Sequence, residues 1–481
     1  MTAPSNPQPM HLQTRRSGRI RTVMTATTRA ARTWRRGATV LAVGALAAAG
    51  LTACSSSSSG SGSGSAGSTA NASAMAAALQ QKSSITVWAW APQTKDIVAA
   101  FEKKYPKITV NLVNAGTSTT EYTKLQNVVK AGSGIPDVAQ IEYYALPQFA
   151  LSGAVQPLDS YGFDSLKSDY SQAVWDSVEV NGQLDALPQD TGPMALFYNE
   201  KVFKQYGLTV PTTWDEYVAD AKKLHAANPK DYITSDTGDP GFVTSMIWDA
   251  GGQPFKTTGA TDVTINSADA GTKKFADEWN QMVDQGLLSN IAGWTNEWYT
   301  ALGNGTLATL VTGAWMPGDF ESSIAASSGD WRVAPMPTWT AGGPAATAEN
   351  GGSSYTVMKG SKNALVAAAF DQFMNAGDGE TIFANEGGFP SLDSVLTSSS
   401  FLNQAPAYFG GQKINQVLSG AASSVIPGWS YLPFQVYANS IFPDSVGHAY
   451  SNKTDLNAAI KTWLTASAQY GQQQGFTVTV K

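Results

Sequence analysis

From Ser84 onward the apolar positions of this chain switch repeatedly between a two-residue period and a three-to-four-residue one. Ile85-Thr86-Val87-Trp88-Ala89-Trp90 is rich in β-branched and aromatic residues and predicts a first strand. Ile97, Ala100, Phe101 and Lys104 then share one helical face, which Pro106 ends. A second strand follows at 108–113, then a helix carrying Tyr122, Leu125 and Val129, a Gly-Ser-Gly-Ile-Pro break, and a third strand at 137–141. This alternation predicts an α/β fold with mainly parallel sheets flanked by crossover helices. Ligands of such sheets sit beyond the carboxyl ends of the strands, which here are Trp88 to Trp90 and Glu142 to Tyr144.

Farther along, Thr213-Trp214-Asp215-Glu216 reads as a capping box that opens a helix with Trp214, Tyr217, Val218, Ala221 and Leu224 on its apolar face. Phe275, Trp279, Met282 and Val283 mark another helix, and Leu456, Ile460, Trp463 and Leu464 one near the C-terminus. No repeat of solenoid or propeller period is present.

The first 36 residues break this pattern, with eight arginines and no acidic residue. The run 37–53, GATVLAVGALAAAGLTA, is apolar, uncharged and short for a membrane span. A basic region followed by a short apolar one reads as a secretory signal at 1–53. Leu51-Thr52-Ala53-Cys54 looks like a lipobox, so cleavage before Cys54 and its lipidation are expected. That places the mature protein, exported, on the outer face of the cytoplasmic membrane. Residues 54–83 are rich in Ser, Gly and Ala and read as a flexible tether, on the order of 30 Å long.

Outside the basic segment 23 basic residues face 37 acidic ones, and Arg332 is the single arginine. Such a body has no basic stripe for nucleic acid and lacks the arginine clamps that suit phosphorylated ligands. Cys54 is the only cysteine, and His11, His225 and His448 stand far apart. Neither a disulfide within the chain nor a zinc cluster is expected, and no cofactor is implied.

Seven stretches, in order, carry a family resemblance. They are ITVWAW at 85–90, GIPDVAQIEYYALPQFALSGAVQPLD at 134–159, and LPQDTGPMALFYNEKVFKQYGL at 187–208 followed by PTTWDEYVADAKKL. LGNGTLATLVTGAW at 302–315, WRVAPMP from Trp331, ENGGSSYTVMKGSKN at 349–363 and GGFPS at 387–391 complete the series. In this order they resemble the extracellular solute-binding proteins of carbohydrate ABC importers, the maltose-binding-protein-like family. The resemblance implies a type II two-lobed fold with hinge crossings near Gln189 and Asp190, near Glu349 and Asn350, and near Pro390. Lobe one would take 84–189 and 350–390, and lobe two 190–349 and 391–481. It also implies a monomer that hands its sugar or oligosaccharide to ABC permease subunits, with no catalysis.

Sugars present C–H faces and hydroxyl rims, so a site for them needs flat aromatics together with carboxylates, amides and backbone groups. Trp90 at the first strand end, and Glu142, Tyr143 and Tyr144 after the third, are candidates. So are Asp190 at the first crossing and Asn350-Gly351-Gly352, where glycine lets backbone approach closely. Family position adds Trp315 as a stacking ring. Trp248, Trp294 and Trp429 are further candidates, whereas Trp214, Trp279 and Trp463 fall on core faces. A binder of a peptide or polyol is an alternative. A secreted glycoside hydrolase, needing two flanking carboxyl groups, is another.

Overall fold

The computed structural model describes residues 64–481; Cys54 and the basic and apolar segments before it lie outside the described residues. The chain builds two α/β lobes. In the first, a five-stranded sheet runs in the order Ile108–Val113, Ser83–Trp88, Val138–Glu142, Ser353–Val357, Leu187–Pro188. The first three strands are parallel, because helices Thr94–Lys104 and Thr119–Ala131 carry the chain back over the sheet. Ser353–Val357 runs antiparallel to both of its neighbours. Helix Ala364–Asn375 packs on the sheet, and Phe101 meets Phe370 edge-on at 5.1 Å.

The second lobe holds an antiparallel sheet, Thr309–Gly313, Met194–Asn199 and Trp331–Ala334, and a smaller one of Phe255–Thr258, Asp262–Ile265 and Thr477–Val480. Helix Trp214–Ala227 opens with the capping box its sequence predicts. The Thr213 hydroxyl accepts from the Glu216 amide at 3.2 Å, and the Glu216 carboxylate accepts from the Thr213 amide at 3.2 Å. Trp214, Trp279 and Trp463 are buried, as their helical spacing predicts, and Trp214 meets Trp279 at 5.6 Å. Each fully buried ring contributes roughly 1.5–3 kcal/mol relative to exposure.

Three segments pass between the lobes side by side. Gln189 N donates to Ser353 O at 3.0 Å, Ser391 N to Gln189 O at 3.2 Å, and Asn350 N to Gly192 O at 2.7 Å. Asp190 bridges Pro390, and Pro193 bridges Glu349. Gly192 is required by contact: a Cβ there would stand 2.5 Å from the Asn350 carbonyl oxygen.

The tether reading of 54–83 needs correction over its second half. A helix spans Gly64–Ala78, and Met75 and Leu79 are buried in the first lobe's core. The Asn71 amide donates to Ser160 O, and Lys107 Nζ to Gln80 O at 2.7 Å. Composition misleads here because alanine, the best helix former, dominates this stretch, while Met75 and Leu79 stand one turn apart on one face. Leu79→Ala is therefore expected to lower stability by about 2 kcal/mol, read as a lower urea midpoint. An unchanged midpoint would return this segment to a tether.

Candidate ligand cleft

The parallel strands of lobe one end at the interlobe cleft, the place where open α/β sheets bind. Lobe one contributes Ser118, Glu142 and Tyr144 to a cavity of about 630 Å³, and lobe two faces them with Asp239, Ser245, Trp294, Trp315, Tyr431 and Gln435. A second compartment of about 580 Å³ adjoins it and shares Glu142, Trp315 and Gly351 as walls. Trp90, Gln93, Gln140, Gln189, Asp190 and Gly352 also line this second space.

Trp315 forms the partition between the compartments. Its indole N–H donates to the Asn350 carbonyl at 2.7 Å, and its ring lies 5.7 Å from that of Trp294. Gly351, at φ +91°, lies under the ring, and a Cβ there would stand 2.7 Å from Trp315 Nε1. Trp294 is 52% exposed and holds a left-handed backbone, φ +65°. A side chain other than glycine pays roughly 1–3 kcal/mol for such a conformation, and here it presents an indole face to the cavity.

The polar groups are fixed from behind. The Glu142 carboxylate accepts from the Tyr122 hydroxyl at 2.9 Å, and Tyr144 and Ser118 share a hydrogen bond of 2.7 Å. Burial raises the Glu142 pKa, while hydrogen bonds from Tyr122, Tyr144 and Ser118 pull the other way. Asp190 Oδ1 accepts from Ser353 N at 2.6 Å, and burial pushes its carboxyl up to about 7. Asp239 caps helix Pro240–Asp249 by accepting from Phe242 N at 2.8 Å, and it also accepts from Trp294; burial raises its pKa.

Of the residues singled out from sequence, Trp90, Glu142, Tyr144, Asp190, Trp294, Trp315, Asn350, Gly351 and Gly352 line these two compartments. Three do not. Tyr143, in the turn after the strand, is 1% exposed and donates its hydroxyl to Asp190 O at 2.7 Å. Its ring fills the space a Cβ on Gly352 would need, so that glycine answers to a neighbouring ring. Trp248 is core: it stacks on Trp429 at 5.1 Å and donates to Ile426 O at 2.7 Å. Trp429 lines a separate groove with Tyr143, outside both compartments.

Sequence reasoning missed Asp239, Ser245, Gln435 and Gln189. Asp239-Pro240 was legible as a helix start, an N-cap followed by proline at the first helical position. The other three carry no local signal, since their placement depends on how the lobes face each other.

Two α/β lobes, three crossing segments and an aromatic, polar cleft between them define a solute-binding protein. The chain belongs to the bacterial extracellular solute-binding protein family, whose model matches residues 88–379, and it groups with the carbohydrate-binding members that serve ABC importers. It is 44% identical to an ABC-transporter-associated binding protein of B. animalis subsp. lactis Bl-04 solved with β-1,6-galactobiose; the match covers 83% of this chain and 100% of that one, with a TM-score of 0.75. The galacto-N-biose-/lacto-N-biose I-binding protein of Bifidobacterium longum is 27% identical, with a TM-score of 0.72 over 82% of this chain and 98% of its own. A lactose-binding protein of Rhizobium radiobacter is 25% identical over 67% of this chain and 76% of its own length.

Proposed function

We propose that this chain captures a short neutral oligosaccharide, with β-galactosides foremost, and delivers it to the permease of an ABC importer. The observation that carries this reading is the Trp315–Trp294 pair facing Glu142 and Tyr144 across the cleft. Indoles suit the C–H faces of pyranose rings, and the carboxylates and hydroxyls suit their rims. The 44% identity to a galactobiose-bound protein supports the choice of galactosides. The body 84–189 with 350–390 and the body it faces act as lobes that close on the sugar about the crossing segments. No catalysis is involved, as in the relatives, which are solute-binding proteins.

Isothermal titration against β-1,6-galactobiose, lactose, lacto-N-biose, maltose and a tripeptide tests this reading. Binding confined to the galactosides supports it. Binding of the peptide alone, or release of reducing ends, overturns it.

Anchoring belongs to the same proposal: acylation at Cys54 holds the protein at the membrane's outer face, since two acyl chains anchor stably where one is marginal. Cys54→Ala is expected to release the protein into the medium or to leave it uncleaved. A variant that stays processed and membrane-bound would sink the anchor.

A further inference from the structure

Ser118 stands where its turn asks for glycine. Its backbone lies at φ +50°, ψ −129°, the values of the first central position of a type II′ turn, where glycine is the usual residue. Thr120 N donates to Thr117 O at 3.1 Å across that turn. A side chain with a Cβ is strained there, and this residue forgoes a second source of stability. Serine just before a helix ordinarily accepts from an amide of the first turn. Ser118 precedes helix Thr119–Ala131 and makes no such bond. Its hydroxyl is turned to the cleft wall instead. It shares a hydrogen bond of 2.7 Å with the Tyr144 hydroxyl and reaches the Glu142 carboxylate, which Tyr144 also bonds. All three residues line the cavity of about 630 Å³. Behind them the Tyr122 hydroxyl donates to Glu142 and accepts from the Glu142 amide, both at 2.9 Å.

We infer that Ser118 is a positioning residue of the sugar site: the strained turn aims its hydroxyl so that Tyr144 and Glu142 are held as one preorganised pair, which strengthens binding and weakens the fold. This rests on the sugar-binding reading above. A phenol O–H swings freely unless a partner fixes it, and a group already fixed need not be ordered when the ligand arrives. A carboxylate has roughly four acceptor sites. Tyr122, Tyr144 and Ser118 all bond that of Glu142, so its direction toward the cavity is set before any sugar enters. Thr119 also bonds the Tyr144 hydroxyl, so loss of Ser118 loosens the pair without freeing it. Glycine would satisfy the turn, and a capping serine would steady the helix. The chain has neither, and the one group placed by that arrangement is the hydroxyl at the cleft.

The test is calorimetric titration with β-1,6-galactobiose, and thermal melting without sugar, of the mature protein and of Ser118→Gly and Ser118→Ala. Ser118→Gly removes the hydroxyl and the strain together. It is expected to bind roughly tenfold more weakly and to melt about 1–3 °C higher, since strain relief outweighs the freedom glycine adds to the unfolded chain. Ser118→Ala keeps the Cβ, so it should lose the same affinity and melt below the glycine variant; should it not fold, Ser118→Gly carries the test. A serine with only a structural role would make affinity and stability fall together. Action through the tyrosine is read from a double-mutant cycle: Tyr144→Phe combined with Ser118→Gly should lose clearly less affinity than the two single losses summed. Galactobiose affinity within about twofold of wild type in Ser118→Gly, a glycine variant that melts below wild type, or additive losses in the cycle overturns the inference alone. A wild type that binds no sugar of the panel above overturns the functional reading together with it.

Discussion

Trp315→Ala weakens sugar binding about thirtyfold or more while the unliganded protein melts nearly as before. A buried aromatic anchor costs about 2 kcal/mol or more on truncation, and about 1.4 kcal/mol is a factor of ten. The ring earns that rank by position: it is shared by both compartments, it meets Trp294 at 5.7 Å, and its N–H is held by the Asn350 carbonyl. The loss should fall on affinity because Trp315 is only partly buried and packs at the edge of its core. A fully buried core tryptophan behaves in the opposite way, costing ~3–5 kcal/mol of stability. Calorimetric titration and thermal melting of the same variant separate the two. Retained affinity, or collapse of the unliganded fold, removes Trp315 from the site.

The unliganded protein loses stability as pH rises from about 4.5 toward 7, and the crossing segments carry much of that loss. Burial pushes Glu349 from an ordinary 4.5 up to about 7, and Asp190 from 3.8 up to about 7, each raised further by other carboxylates nearby. A carboxyl with a higher pKa folded than unfolded binds more protons in the folded state. Its contribution is full below the unfolded value and is lost as pH climbs through the folded one. At about 1.4 kcal/mol per pKa unit, the loss is on the order of 3 kcal/mol for each carboxyl. Glu349 Oε1 accepts from the Thr191 hydroxyl at 2.6 Å, and its other oxygen from Gly192 N. Gln at 349 can donate to Thr191 and accept from Gly192, as the protonated acid does. Glu349→Gln with Asp190→Asn should thus flatten the dependence of urea stability on pH between 5 and 8 and leave the double variant more stable than wild type at pH 7. An equally steep slope in the double variant would place the dependence elsewhere.

Element types were legible wherever one short-range rule decides them. The strand before Trp88, the box at Thr213–Glu216 and the tryptophan face of its helix follow from local patterning. The site was legible in part, because strand ends locate a cleft without orienting the side chains along its wall. Tyr143 and Tyr144 look equivalent as letters, and only the turn after Val138–Glu142 sends one to the crossing and the other to the cavity. Trp248 looked available because helix Pro240–Asp249 is apolar on most sides, so its spacing does not reveal which side is covered. The helix over 64–78 was missed because a compositional test for disorder ignores a partner surface waiting elsewhere in the chain.

The position of Ser353–Val357 in the sheet sets the order in which the protein can be finished. This strand lies between Val138–Glu142 and Leu187–Pro188, and it hydrogen-bonds to Ile141 across 213 positions of sequence. A ribosome delivers Ile141 long before Ser354, so the nascent first lobe carries an open sheet edge and lacks the Phe370 and Phe373 rings that complete its core. Closing so long a loop makes folding slow. The first lobe of a newly made chain therefore stays unfinished until Ser353–Val357 has been synthesised.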